Sequence, residues 1–458
     1  MCYLNINKIK VLFLIGILSI PLVSCKKYLD EKAVKSLVVP RTLDDLQALL
    51  DLHDYMNKRG PHITELIADN YYMKTADFLS RDLDLRQQYL WDPNAATIGA
   101  WNLGYQQPVY YANVVLDVLP EINPSENDKA RYNAIKGSAL FYRAFAFQRL
   151  SDLFCKPYST SANSDPGIVL RLSAAIEDKS VRSTVQQTYD QIINDLKLAA
   201  ELLPEVSLFP TRPNKAAVYG VLARTYLTMR DYVNAGHYAD LYLQKYNSLI
   251  DFNTLFPLKN PPFERFNKET IYYSVPTFTN FLASARARID STLYKSYADN
   301  DLRKVVYYQA NTGVNAGTYG FRGSYEGTTP STCFDGIATD EMYFIRSECF
   351  ARSGQTVAAL DDLNMVLSTR WKTGFFTPFT VSNADEALRI ILTERRKELV
   401  YRGLRWSDIR RLNLEGANIT LTRIINNVTY TLPPNDLRSV LLIPPTVISM
   451  TGVEQNPR

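Results

Sequence analysis

Asn214–Tyr246 reads NKAAVYGVLARTYLTMRDYVNAGHYADLYLQKY, and this stretch decides the fold. Val218, Val221, Leu222, Thr225 and Met229 fall at i, i+3, i+4, i+7 and i+11, the spacing of a single stripe along a helix. Ala235, Tyr238, Ala239, Tyr242 and Tyr246 repeat the same spacing, with Arg230 and Asp231 at the corner between. The stretch therefore predicts two short antiparallel helices. Ala223 and Ala235 let the helices approach closely, and the aromatic side chains fill the space beside them. One helix pair cannot bury its apolar face alone, so the unit requires stacked neighbours.

The order Tyr219, Leu222, Ala223, Tyr226 and then Ala235 follows the tetratricopeptide pattern. Working outward, Tyr343, Ser347, Phe350 and Ala359 repeat it, with Ser353-Gly354 at the corner. Leu140 to Phe147 supplies another first helix, with Ala144 in the small position. Its partner, carrying Ile192, Leu196 and Ala199 and stopped by Pro204, lies beyond an insertion. The predicted fold class is mainly α: a tetratricopeptide-like helical-repeat superhelix interrupted by a loop-rich insertion with a few short strands. Such an array is a framework, and function is to be sought in what interrupts it.

The totals bound the class. A chain of 458 residues suits an elongated solenoid carrying an insert. A net charge of +4 is small for that length and argues against a nucleic-acid partner. Cys2, Cys25, Cys155, Cys333 and Cys349 show no CxxC spacing, and His53, His62 and His237 are far apart, so no metal site is expected. Catalytic signatures are missing too. No carboxylate pair is marked as acid and base, Gly317, Gly320 and Gly323 do not form GxGxxG, and no GxSxG elbow occurs. Neither an enzyme nor a cofactor is expected. The unusual number is 30 tyrosines, whose apolar face and polar tip suit helix packing, sugars and protein contacts alike.

Lys8 and Lys10 precede the apolar run Val11–Ile20, followed by Pro21-Leu22-Val23-Ser24-Cys25. The run is short for a bilayer span and has the layout of a secretory signal. A cysteine after Leu-Val-Ser resembles a bacterial lipobox, so residues 1–24 are expected to be removed and Cys25 to carry lipid. Residues 25–40 then read as a tether and 41–458 as the folded domain. Within that domain, repeat helices are expected over about 101–246 and 339–370. Ligand-side insertions rich in loops and strands are expected over about 63–100 and 247–338, and a C-terminal helix and hairpin over 384–458. Thr42 is expected to cap a first helix through Asp45. Ile271–Val275 and Val305–Tyr308 read as strands. Asn426-Asn427 reads as the turn of a hairpin between Ile419–Ile425 and Val428–Leu432.

The most specific text is Ala384–Asn413, ADEALRIILTERRKELVYRGLRWSDIRRLN. Physically it reads as structural: Leu388, Ile391, Leu392 and Leu399 form an inner face, and Gly403 can end the helix. Glu398 with Arg402, and Asp408 with Arg411, have intrahelical pairing distance. Together with the lipobox, the interrupted repeats and the closing IPPTVISMTGVEQNP, this block resembles that of the SusD/RagB family, outer-membrane nutrient-binding lipoproteins of Bacteroidetes. Glu394, Arg395, Glu398, Leu399, Gly403, Arg405, Trp406, Asp408 and Arg411 fit the family form. Arg402 stands where an acid is common, and Leu404 where His is frequent.

The resemblance implies a cell-surface protein, lipid-anchored in the outer membrane, that acts as a lid over a SusC-like TonB-dependent transporter. It implies a glycan or other oligomeric nutrient as ligand, with the repeat face toward the transporter and the ligand among the loops. A peptide or other non-sugar oligomer is an alternative ligand. A purely protein-binding adaptor is another reading, which leaves the long excursion at 247–338 without a purpose. No family motif fixes ligand residues. Position and chemistry single out Tyr71, Tyr72, Trp91, Tyr319, Phe321, Arg322 and Tyr325: flat aromatic faces in irregular segments, with polar neighbours such as Asp92, Asn94 and Arg322 itself.

Overall fold

A computed structural model describes residues 40–458 apart from 59, 61, 62, 257, 258 and 277–279. The lipobox, Cys25 and the tether lie outside the described residues. Everything below belongs to the unit Thr42–Arg458.

Helix α1, Leu43–Leu50, starts where Thr42 and Asp45 cap each other: the Asp45 N–H donates to Thr42 Oγ1 at 3.2 Å, and the Thr42 N–H donates to Asp45 Oδ2 at 3.0 Å. Short helices then lead to β1, Tyr71–Tyr72. Helix α2, Tyr110–Val118, follows a π-helical turn at Tyr105–Val109 that contains Pro108. Proline lacks the N–H that regular helical bonding uses, so the wider turn falls there. Helix α3, Lys129–Phe154, is buried on every side from Gly137 through Gln148. Strands β2, Pro166–Val169, and β3, Arg182–Thr184, fill the insertion before α4, Val185–Leu202. Ile192, Leu196 and Ala199 of α4 face α3 and are fully buried.

The opening stretch forms α5, Lys215–Met229, and α6, Tyr232–Lys245. Asn214 caps the first by accepting the Ala217 N–H at 2.9 Å, and Asp231 caps the second by accepting the Asn234 N–H at 3.1 Å. Between them Arg230 adopts the left-handed conformation, φ 63°. Tyr226 and Tyr238 stack across the pair with an interplanar angle of 3°. The expected single stripe on α5 is too narrow: Val218 and Gly220–Leu227 are all buried, because further layers close on it from both sides. Gly220 shows how closely, since a Cβ there would stand 2.3 Å from Ile337 Cγ2.

The insertion contributes β4, Thr270–Tyr272; β5, Arg288–Ile289; β6, Tyr308–Ala310; β7, Tyr319–Phe321; and β8, Ile337–Ala338. These strands pair antiparallel: β4 with β8, β1 with β5, and β6 with β7. The strand expected at Val305–Tyr308 is displaced. Arg303–Val306 is a helical turn, because Asp301 accepts the Arg303 N–H at 3.1 Å and Leu302 O accepts the Val306 N–H at 2.9 Å. Local capping outweighs the β preference of the two valines.

The repeat resumes with α7, Thr339–Arg352, and α8, Thr356–Ser368, turned at Gly354 with φ 78°. Adjacent helices pack from α3 through α8 in chain order, so the mainly α, interrupted-repeat fold class holds. Helices α9, Ala384–Glu398, and α10, Arg405–Asn413, are followed by β9, Leu421–Ile425, and β10, Val428–Leu432. Asn426 and Asn427 join these strands with φ of 50° and 61°. Among the described residues no helix is long and apolar enough to cross a membrane.

The charged block on α9 acts across elements. Helix α9 ends at Glu398, and Tyr401 and Gly403 turn the chain with positive φ. The expected Glu398–Arg402 pair therefore does not form. Arg402 instead reaches Asp340 at 3.0 Å. Glu398 is shared by Arg303 at 3.1 Å and Arg370 at 2.7 Å. Arg303 also binds Asp301 and Glu394, and Arg370 binds Glu269. The Asp408–Arg411 pair does form, at 2.9 Å. Removing one partner from such a buried network leaves an uncompensated charge, which costs about 3–5 kcal/mol. The network ties the insertion to the framework and holds its outer surface in place.

Candidate functional site

The insertion presents its aromatic surface around β7. A one-turn helix, Ser291–Lys295, starts where Asp290 accepts the Leu293 N–H at 2.8 Å, and it carries Tyr294. Strand β7 starts at Tyr319. The two partly exposed rings stack at 3.6 Å between centroids, 15° from parallel. Tyr308 braces Tyr294 edge-on at 5.6 Å. Lys304 Nζ stands 5.6 Å from the Tyr294 ring and pairs with the exposed Asp299 at 2.8 Å. Burial pushes the Tyr294 phenol above its ordinary value, and the Tyr319 hydroxyl adds to the shift, so the phenol stays neutral at physiological pH.

The loop before Tyr319 is clasped from two directions. Lys74 Nζ donates to Val314 O at 2.8 Å and Asn315 Oδ1 at 3.2 Å, and Arg288 also donates to Asn315 Oδ1. Arg288 pairs with Asp77 at 2.8 Å and lies opposite Tyr72 in the β1–β5 ladder. In this way Arg288 ties the segment that carries Tyr72 to the loop that leads into Tyr319. Arg322, one residue past β7, donates to Val305 O at 2.7 Å. A flat paired aromatic surface bordered by an ammonium and a carboxylate can stack against an apolar ring face while hydrogen-bonding its rim.

Four of the expected contacts lie in the core instead. Tyr71 is 1% exposed and donates its hydroxyl to Leu66 O at 2.9 Å. Trp91 is 3% exposed, donates Nε1–H to Ile67 O at 3.0 Å, and has the Arg423 guanidinium 5.1 Å from its ring. Phe321 stacks on Tyr401 at 4.4 Å. Tyr325 is buried and donates to Glu269 at 2.6 Å. Each looks like a loop aromatic in sequence, but a partner distant in the chain covers it. Trp91 and Tyr319 do not share a surface pocket: Trp91 borders a separate cleft of about 300 Å³ with Phe78, Arg86, Tyr430 and Arg438. Tyr294 and Lys304 are not marked by the sequence because the helices that carry them, Ser291–Lys295 and Arg303–Val306, are too short to show a period.

In the first irregular segment, burial alone would raise the Asp69 carboxyl, but Arg405 and Arg396 hold it well below the usual carboxylate range. Family-block arginines are thus engaged in locking the first irregular segment. Among the described residues, Cys155, Cys333 and Cys349 are free and buried, and no group of three or more His, Cys, Asp or Glu stands ready to hold a metal ion.

Residues 27–227 match a family described as starch-binding and associating with the outer membrane, and residues 265–438 match the SusD family. SusD-like protein P2 of Formosa agariphila is 26% identical over 388 residues, covering 70% of this chain and 73% of that protein. A SusD superfamily protein from Bacteroides thetaiotaomicron superposes with TM-score 0.75 at 22% identity, over 91% of this chain and 100% of that one. A SusD-like carbohydrate binding protein from Bacteroides vulgatus superposes with TM-score 0.68 at 20% identity, over 90% and 97%. The solved structures share the fold, the family matches take in both the repeats and the charged block, and the chain belongs to the SusD/RagB family.

Proposed function

We propose that this protein is a lipid-anchored, outer-membrane nutrient-binding protein of the cell surface. It captures an oligosaccharide on the Tyr294–Tyr319 platform and delivers it to a SusC-like TonB-dependent transporter. Family membership supports a carbohydrate-binding role in nutrient uptake and an association with the outer membrane. The anchor rests on the Leu-Val-Ser-Cys25 motif. The observation that carries the ligand reading is the partly exposed tyrosine stack, held at 3.6 Å on a clasped insertion. A sugar ring offers a C–H face to Tyr319 or Tyr294, and its hydroxyls reach Lys304 and Asp299 beside the stack. A peptide is less well served, because peptide grooves use an open strand edge or apolar pockets.

Calorimetric titration of the mature protein with a panel of oligosaccharides tests the reading. Tyr319→Ala should weaken the best ligand at least several-fold while the melting midpoint stays near that of the wild type. Equal affinity in the variant, or binding of peptides and no sugar, overturns it. Pull-down from mildly solubilised outer membranes should bring a TonB-dependent receptor along, through an interface above about 2,000 Å² if the complex is stable. Recovery of the protein alone counts against the transporter partnership.

A further inference from the structure

The cleft that Trp91 borders is about 300 Å³ and is lined by the helix Leu83–Tyr89, the turn after it, Tyr430 of β10 and Arg438. Leu83, Leu90 and Pro93 give it apolar walls. Leu83 is 60% exposed and Tyr430 partly so, which places the cleft at the surface. Three charged side chains line it. Asp92 accepts the Asn94 N–H at 2.8 Å, and Arg438 pairs with Asp436 at 2.8 Å and donates to Thr431 O at 3.0 Å. The third, Arg86, holds its guanidinium carbon 5.9 Å from the centroid of the Phe78 ring, another wall of the cleft. Its Nε is enclosed, but its terminal nitrogens are accessible and donate to no group among the described residues. Asp82, one turn earlier, forms no ion pair with it.

An unpaired arginine on an open convex surface is ordinary. In a concave cleft the low-dielectric walls focus its field, so an anion gains more there than on the open surface. With two guanidinium groups against one carboxylate, the charged lining is positive. The planar guanidinium matches a carboxylate, which can accept two parallel N–H bonds from it. The apolar walls and the Tyr430 ring suit the C–H face of a ring carried beside that carboxylate. The volume stands at the small end of the range for ligand pockets, which suits a single unit of an oligomer rather than its whole length.

We propose that this cleft is a second carbohydrate site and that it takes a uronic acid unit of an oligosaccharide. The uronate carboxylate accepts from the terminal N–H groups of Arg86, and the sugar ring lies against Tyr430 and Leu90. Arg86 thus makes the protein select acidic over neutral oligosaccharides. The inference rests on the carbohydrate reading of the ligand, and it does not require that the sugar also occupy the Tyr294–Tyr319 platform.

The test is calorimetric titration of the full mature chain with trigalacturonate, with its methyl ester as the neutral counterpart on the same ring skeleton. The acid should bind about ten-fold more tightly than the ester, the effect of one hydrogen bond between charged groups. Arg86→Gln should remove that preference. Arg81→Gln takes away the same charge from a side chain outside the cleft lining and should keep it. Leu83→Glu, at the exposed rim one turn from Arg86, supplies a competing carboxylate and should also remove it. Tyr319→Ala should weaken neutral oligosaccharides and leave the acid preference intact, so failure of the platform and failure of the cleft are separate results. No acid preference in the wild type, equal loss in Arg81→Gln and Arg86→Gln, or a preference that survives Leu83→Glu would each overturn the proposal. The last outcome keeps the test decisive even if Arg86→Gln does not fold.

Discussion

Glu65 provides a quantitative test of how the first irregular segment is held. It is buried at 1% exposure; Asn70 Nδ2 donates to its Oε1 at 2.8 Å, and the Gly403 N–H donates to its Oε2 at 3.3 Å. These bonds do not offset burial, which raises the carboxyl from 4.5 to about 7. The folded protein thus holds this proton more tightly than the unfolded chain does. Stability from this site is full below pH 4.5 and is lost as pH rises through 7. A gap of about 2.5 pH units, at about 1.36 kcal/mol each, amounts to roughly 3 kcal/mol. Glu65→Gln keeps the shape and has no charge to bury. The Asn70 Oδ1, unpartnered in the wild type, can accept the new amide N–H if the Asn70 amide turns over. Urea unfolding of both proteins from pH 4.5 to pH 8 measures the effect. Relative to the wild type, the variant should gain roughly 3 kcal/mol across that range. Parallel stability curves across the whole range would refute the burial argument.

Three further outcomes are expected. Trp91→Ala should cost about 3–5 kcal/mol in a denaturation experiment, because the indole fills the core and caps Ile67 O; an unchanged midpoint with lost ligand affinity would return Trp91 to the binding surface. Ala223→Leu, at a fully buried position on α5, should cost about 1–3 kcal/mol by overpacking, read as a lowered melting midpoint. Cys25→Ala should abolish incorporation of labelled palmitate and release the protein from the outer-membrane fraction; unchanged labelling would remove the lipobox reading. The physics behind that reading is additive, since each buried CH₂ contributes about 0.8 kcal/mol and a single acyl chain anchors only marginally.

The repeat framework was legible in the sequence because helical packing is written locally. Val218, Val221, Leu222 and Thr225 recur at the helical period, and Asn214, Asp231 and Gly354 mark caps and corners within a few residues of the helices they bound. The family block was legible as text, and of its two expected pairs Asp408–Arg411 forms while Glu398–Arg402 does not. Glu398 and Arg402 stand four apart on a helix that ends before it can pair them, and their partners are Arg370, Arg303 and Asp340 on other elements. A local rule predicts only local partners.

The site divides along the same line. The sequence by itself led to the expectation of a ligand side in the two irregular segments, with Tyr71, Tyr72, Trp91, Tyr319, Phe321, Arg322 and Tyr325 as candidates. Only the tertiary structure decided that Trp91 lies beneath Arg423, that Phe321 stacks on Tyr401, and that Tyr319 stacks on Tyr294 with a ring still partly open. The physical reason is that a helix announces its buried face through its own period. A loop aromatic has no period, and its burial depends on which distant residue arrives to cover it: Arg423 reaches Trp91 from far along the chain, whereas the outer side of the Tyr294–Tyr319 pair is not fully covered.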